Sequence, residues 1–229
     1  MRKKILGVLI FGIVAFLVNP HAILRAATPE FLITWRAQSY VPPYYTGKAL
    51  PSAGSSLVAA LELVENGRLI DLSQETITWQ LDRELIGNGI GLQTVTFQAK
   101  DLGGGAHNLR ARINNFRDQS IIVLKTIEIP VADPEAVIEN RFPGATFGGS
   151  RVRVTGYPYF FNIQNPTELS YSWNVNGQKP ATLENPSVLD VNIDGTSGQQ
   201  SLEVKLTIKN PQNILESASR LLKLFTARP

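Results

Sequence analysis

The chain has no cysteine. That removes disulfides, thiol nucleophiles and thiolate metal sites. A disulfide typically adds about 2–4 kcal/mol where one can form, so this chain must stand on its apolar core. Histidine is nearly as scarce. Beyond His21 near the start there is only His107. Triads and zinc sites built on histidine need partners that the chain does not offer. No block of like charge occurs, and few windows carry a helical period after the first 20 residues.

What is present begins with "MRKKILGVLIFGIVAFLVNPHAILRAATPE". Arg2, Lys3 and Lys4 precede an apolar run from Ile5 to Val18, which Asn19-Pro20 ends. As a helix the run would span about 21 Å, short of the roughly 30 Å hydrocarbon core. This is the pattern of a secretory signal over residues 1–26, with Leu24-Arg25-Ala26 as its end. An uncleaved anchor is the alternative, and it would be the protein's one link to a membrane. Residues 1–26 carry four basic groups and no acid, so the net charge falls from +3 to −1 without them. A mature chain of that charge has no net positive field to draw in nucleic acid.

The remainder repeats itself once. With Trp79 of "ETITWQLD" over Trp173 of "LSYSWNVN", "TVTFQAK" (94–100) lies over "VLDVNID" (188–194). "NLRARINN" (108–115) lies over "SLEVKLTI" (201–208), after a one-residue deletion. "PSAGSSLVAALELV" (51–64) is set loosely against "PGATFGGSRVRVTG" (143–156). A pattern recurring in order points to internal duplication. Leu109, Ala111 and Ile113 alternate with Arg110 and Arg112, and Leu202, Val204 and Leu206 alternate with Glu203 and Lys205. Such alternation marks half-buried antiparallel strands. "SSLVAALELVEN" (55–66) stays open between helix and strand. Asn66-Gly67 and Asn176-Gly177 signal turns. Short strands with regular turns, in about 100 residues per unit, predict an all-β fold of two tandem β-sandwiches. The expected division is 28–129 and 130–229, with the boundary at "EIPVADPEA", where prolines stiffen the link. Two domains end to end with limited bending are expected; a V shape is the rival.

"ITWQL" and "YSWNVNG" resemble the third strand of an immunoglobulin-like (Ig-like) domain. "HNLRA" and "QSLEV" resemble the sixth, with Leu109 and Leu202 where antibody domains carry cysteine. The chain is similar to bacterial Ig-like and polycystic-kidney-disease (PKD) type surface repeats over about residues 30–229. It lacks the PKD Gly-Asp-Gly after the tryptophan. The resemblance implies a core built on Trp79, Trp173, Leu109, Leu202, Phe97 and Val191. It also implies that His107 and Gln200 stand where a tyrosine corner would be. Burying a tryptophan's roughly 150–250 Å² at about 25 cal/mol/Å² contributes roughly 4–6 kcal/mol at most.

Candidate sites are few. "SYVPPYY" (39–45) and "GYPYFF" (156–161) concentrate aromatics. Tyr40, Tyr44, Tyr45, Tyr157 and Tyr159 are the candidate ligand surface, because rings on loops can stack against sugars. The competing reading packs them at the sandwich ends or the domain junction. Asp190, Asn192 and Asp194 with Gly195 match the start of a calcium loop, but Ser201 stands where a glutamate is needed. "DLGGGAH" (101–107) lacks the lysine of a phosphate loop and reads as a turn. Asp82 and Glu84 are a carboxylate pair with no partner acid. Arg110, Arg112, Lys205 and Lys209 are expected to guard exposed strand edges. No catalytic site, metal or cofactor is assigned. The expected role is a non-enzymatic, exported spacer or adhesion module, outside the cytoplasm, whose partner is an envelope or extracellular protein or a surface glycan. A carbohydrate-binding module and a strand-donating assembly accessory are the alternatives. A platform of flat, exposed tyrosines would mark the first, and a long unpaired apolar edge the second.

Overall fold

A computed structural model describes residues 29–100, 104–118, 121–180, 183–193 and 201–226. The expected leader and residues 194–200, including Asp194, Gly195 and Gln200, lie outside the described residues. No described helix is long and apolar enough to cross a membrane.

The first half builds two sheets. In chain order the strands are β1 (Glu30–Ala37), β2 (Ser56–Glu65), β3 (Arg68–Leu69), β4 (Thr76–Leu81), β5 (Glu84–Ile90), β6 (Thr94–Gln98), β7 (Ala106–Ile113) and β8 (Val123–Pro130). β2 is the centre of one sheet, flanked by β1 and by β6, with β3 at its end. The other sheet runs β5-β4-β7-β8. The second half repeats the plan with β9 (Glu135–Asn140), β10 (Thr146–Phe147), β11 (Arg151–Tyr159), β12 (Ser170–Val175), β13 (Val188–Asn192), β14 (Ser201–Asn210) and β15 (Asn213–Thr226). Its sheets are β13-β11-β9 and β10-β15-β14-β12. Pairing is antiparallel except where β10 runs parallel to the end of β15. These are two Ig-like β-sandwiches.

The ambiguous run 55–66 is a strand because its side chains alternate. Leu57, Ala59, Leu61 and Leu63 are buried on one face, while Glu62 on the other is exposed. A helix would have scattered those apolar groups around its circumference.

Each tryptophan fills the space between its two sheets. Trp79 is fully buried and Trp173 nearly so, at 3% exposure. The Trp79 indole N–H donates to the Leu92 carbonyl at 2.8 Å. The Trp173 indole N–H donates to the Pro186 carbonyl at 2.9 Å. In both cases the acceptor lies 13 residues further along the chain. Leu109, Leu202 and Phe97 are core residues, but Val191 is only half-buried. Leu189, fully buried, takes the deeper place on β13.

The repeat also needs a new register. Trp79 pairs with Ala111, and Trp173 pairs with Leu206. Ala111 therefore corresponds to Leu206, not to Val204, and His107 rather than Leu109 is the counterpart of Leu202. On β2 and β11, Leu57 faces Phe97 as Val152 faces Val191, so the loose upstream match was also misplaced. The same turn confirms the shift in both halves. Asp82 and Asn176 have positive φ, and each side chain accepts from a strand N–H, of Asn108 and Glu203 respectively, at 2.8 Å.

A second correction concerns the charged strands. β7 and β14 lie inside their sheets, not at edges. Arg110, Arg112, Lys205 and Lys209 therefore cover outer faces of central strands.

Candidate functional site

The five tyrosines converge. The loop after β1 leaves the first sandwich and lies on the end of β11 in the second. Its anchor is a β-bridge between Tyr40 and Phe161. The Tyr40 N–H donates to the Phe161 carbonyl at 2.8 Å, and the Phe160 N–H donates back to the Tyr40 carbonyl at 2.7 Å. Prolines 42 and 43 hold the loop's next turn, where the Tyr45 N–H donates to the Pro42 carbonyl. A Cβ at position 47 would lie 2.4 Å from the Tyr45 ring, so a larger residue than Gly47 would displace that ring.

Tyr44 meets Tyr157 edge to face, with centroids 5.3 Å apart and planes at 86°. Tyr45 meets Tyr159 in the same way at 5.5 Å and 81°. Perpendicular rings make corners, not a flat platform. Tyr44 is still 56% exposed, so the cluster has one open side. Burial raises the Tyr44 phenol well above the usual range, and hydrogen bonding to Tyr159 adds to this. Burial also raises Tyr40 and Tyr157, and the Glu139 carboxylate raises Tyr157 further. Tyr40, Tyr44 and Tyr157 therefore present neutral hydroxyls near pH 7.

Beside it the two sandwiches are joined by a polar chain that no periodicity announces. The Asn162 amide nitrogen donates to the Ala53 carbonyl at 2.9 Å. Its amide oxygen accepts from the Ser55 hydroxyl. Its backbone N–H donates to the carboxylate of Glu216 at 2.5 Å. Glu216 is buried at 4% exposure, and its other oxygen accepts from the Asn210 side chain at 2.6 Å. A buried carboxylate is tolerated when donors satisfy it. Here it ties the β14–β15 hairpin to the residue that grips the first sandwich. A cleft of about 940 Å³ opens at this joint, between Gln38, Ser39 and Tyr40 on one side and Asn162, Gln164 and Glu168 on the other.

The remaining candidates have other duties. Asp190 is held by Arg151 through two hydrogen bonds of 2.9 and 3.0 Å, and Asp194 and Gly195 lie outside the described residues. Among the described residues no three His, Asp or Glu side chains are grouped to hold a metal ion. Asp82 joins His107 at 2.5 Å, while Glu84 pairs with Lys100 at 2.7 Å. His107 is fully buried, and its other ring nitrogen accepts from the Lys100 N–H at 2.9 Å. It therefore ties the loop before β7 as a tyrosine corner would. Lys48 stands 3.6 Å over the Trp35 ring, a cation–π contact.

β15 has β10 beside it only at Phe225 and Thr226. Along the rest of its outer edge no strand is paired among the described residues. Its exposed positions carry apolar Ile214, Leu215, Leu221 and Phe225 among Ser217, Ser219, Arg220 and Lys223. The edge is therefore apolar next to the hairpin turn, while Lys223 discourages strand addition towards the far end.

No protein-family model matches the chain, and no curated protein matches it. Among solved structures it is similar to three N-terminal domains of the highly immunogenic outer capsid protein of bacteriophage RB49. That match has 15% identity and a TM-score of 0.45, and covers 87% of this chain and 59% of the phage chain. It is also similar to fibronectin(III)-like modules of Clostridium thermocellum CbhA, at 11% identity and a TM-score of 0.31, over 85% of this chain and 94% of that one. A third similar structure is the ICAM-5 D1–D4 ectodomain fragment, at 11% identity and a TM-score of 0.29, covering 87% of this chain and 53% of that one. The Ig-like assignment rests on the chain's own strand order, β1-β2-β6 against β5-β4-β7-β8 and β9-β11-β13 against β10-β15-β14-β12.

Proposed function

We propose that the chain is a non-enzymatic, exported spacer of the cell envelope, related in plan to bacterial surface repeats. Its two Ig-like domains, 28–129 and 130–229, act as one stiff unit that presents loops to an envelope or extracellular protein. The observation that carries this reading is the built joint. The Tyr40–Phe161 bridge, the Asn162 contacts to Ala53 and Ser55, and the paired tyrosines fasten one sandwich to the other. A simple tether would leave the domains to move independently, the ordinary behaviour of weakly joined domains.

Spin labels test the reading directly. The chain has no native cysteine, so Arg112→Cys with Lys205→Cys places one label on each sandwich and nowhere else. Both side chains are exposed on outer sheet faces. One narrow distance distribution is expected by pulsed electron resonance. A broad or two-peaked distribution overturns the spacer.

A further inference from the structure

We propose that the outer face of the β9-β11-β13 sheet binds an acidic polysaccharide, one in which carboxylate-bearing sugars alternate with neutral ones. This goes beyond the spacer reading, and it does not depend on a stiff joint.

Strand β11 turns every second side chain outward. In order these are Arg151, Arg153, Thr155, Tyr157 and Tyr159. At about 3.3 Å per residue the row runs for about 26 Å. It is basic at one end and aromatic at the other. Between the ends lies a hollow of about 450 Å³, lined by Glu139, Arg141, Arg151, Arg153, Thr155 and Tyr157. Buried Val152 and Val154 alternate with the row on the other face, so the strand that carries it is fixed from beneath.

The basic end is ordered for carboxylate. Asp190 holds Arg151 with two hydrogen bonds, but it meets Arg153 only at 3.5 Å. Arg141 makes no ion pair with any described residue. Two guanidinium forks thus keep donors for a bidentate carboxylate, the geometry arginine suits best. The aromatic end is ordered for a sugar. Tyr157 and Tyr44 form a right-angled corner, which offers one ring face to a pyranose and one edge beside it. The nearby Glu139 carboxylate can accept from a sugar hydroxyl.

The charge balance selects the ligand. Around the hollow, Glu139 and Asp190 sit among the three arginines, leaving a single positive excess there, while Glu135, opposite Tyr159 on the same face, sets an acid at the aromatic end. A phosphodiester backbone draws its affinity from many neutralised phosphates, and this face lacks them. A wholly neutral glycan would leave Arg141 and Arg153 unused. A chain with intermittent carboxylates uses both ends.

Affinity electrophoresis of the full chain through gels containing hyaluronan, dextran or poly-L-glutamate tests the proposal. Retardation by hyaluronan alone, weakening as salt is added, is the expected result. Arg141→Ala with Arg153→Ala should reduce the affinity at least about tenfold, while the melting profile stays unchanged. Arg141→Lys with Arg153→Lys should recover part of the retardation, since charge returns without the fork. Equal retardation in dextran, equal retardation in poly-L-glutamate, or undiminished binding by the double alanine variant would each overturn it. None of those results bears on the distance distribution that tests the spacer.

Discussion

Asn162 of the second sandwich accepts a hydrogen bond from the Ser55 hydroxyl of the first. The same side chain donates to the Ala53 carbonyl at 2.9 Å. One amide therefore closes both of these bonds across the joint, and neither has a counterpart that periodicity would predict.

Asn162→Ala removes both bonds. Each is worth about 0.5–1.5 kcal/mol net, with a further cost for groups left unpaired. The two sandwiches should then lose part of their thermal coupling. Calorimetry is expected to show two separated transitions where the parent shows transitions drawn together. An unchanged trace would mean that the amide does not hold the joint.

Trp79→Ala should cost the first sandwich about 3–5 kcal/mol. That is a large share of the total stability of a typical domain. The second sandwich has its own core around Trp173, so its transition should move little. Tryptophan fluorescence and urea titration separate the two. Loss of both domains together would show that one core depends on the other.

Gly156→Ala tests the second core from the opposite side. A Cβ there would lie 2.5 Å from Leu206 Cδ2 and 3.1 Å from Trp173 Cζ2. Overpacking of this kind costs about 1–3 kcal/mol. The urea midpoint of the second transition should fall and that of the first should hold. A wild-type midpoint would show that the Trp173 ring can yield.

Acid should weaken the first sandwich through Asp82. Burial raises its carboxyl, but the Asn108 N–H, the His107 hydrogen bond and nearby positive charge together bring it below the usual range. A carboxyl depressed on folding gives stability that is complete above its unfolded value, about 3.9. That stability is lost as pH falls through the lower folded value. Melting temperature should therefore drop below about pH 4, and Asp82→Asn should flatten part of that slope. A slope unchanged in Asp82→Asn would remove Asp82 as its source.

The parts of the fold that were readable share one property: they repeat at short range. Leu109, Ala111 and Ile113 alternate, and the tryptophans sit among alternating neighbours, so strands and core follow from local pattern. Register was harder. The match between the halves slid by two residues at β7 and β14, and a shift of two keeps every side chain on the same face. Hydrophobicity cannot detect it. The usable mark was Asp82 and Asn176, each three residues after its tryptophan, each needing a strand N–H to cap. The tyrosines could be singled out by composition, but their meeting could not be read. Tyr44 reaches Tyr157 on β11 from the irregular loop after β1, which carries no period. Arg141, Arg153 and Tyr157 line one hollow only because β9 lies beside β11, which no local pattern states.

The joint also bears on how the chain comes to be folded. Ser55 and Asn162 are 107 residues apart, and Asn162 and Ala53 are 109 apart. A chain that emerges from its amino end can complete β1 through β8 long before those partners exist. Its tyrosine loop would then wait, exposed, on an otherwise finished sandwich. Contacts of such long separation form late, and exposed apolar surface in the interval invites association between chains. The fastening that stiffens the finished pair is thus also the last seam to close, and the tyrosine loop is the surface at risk until it does.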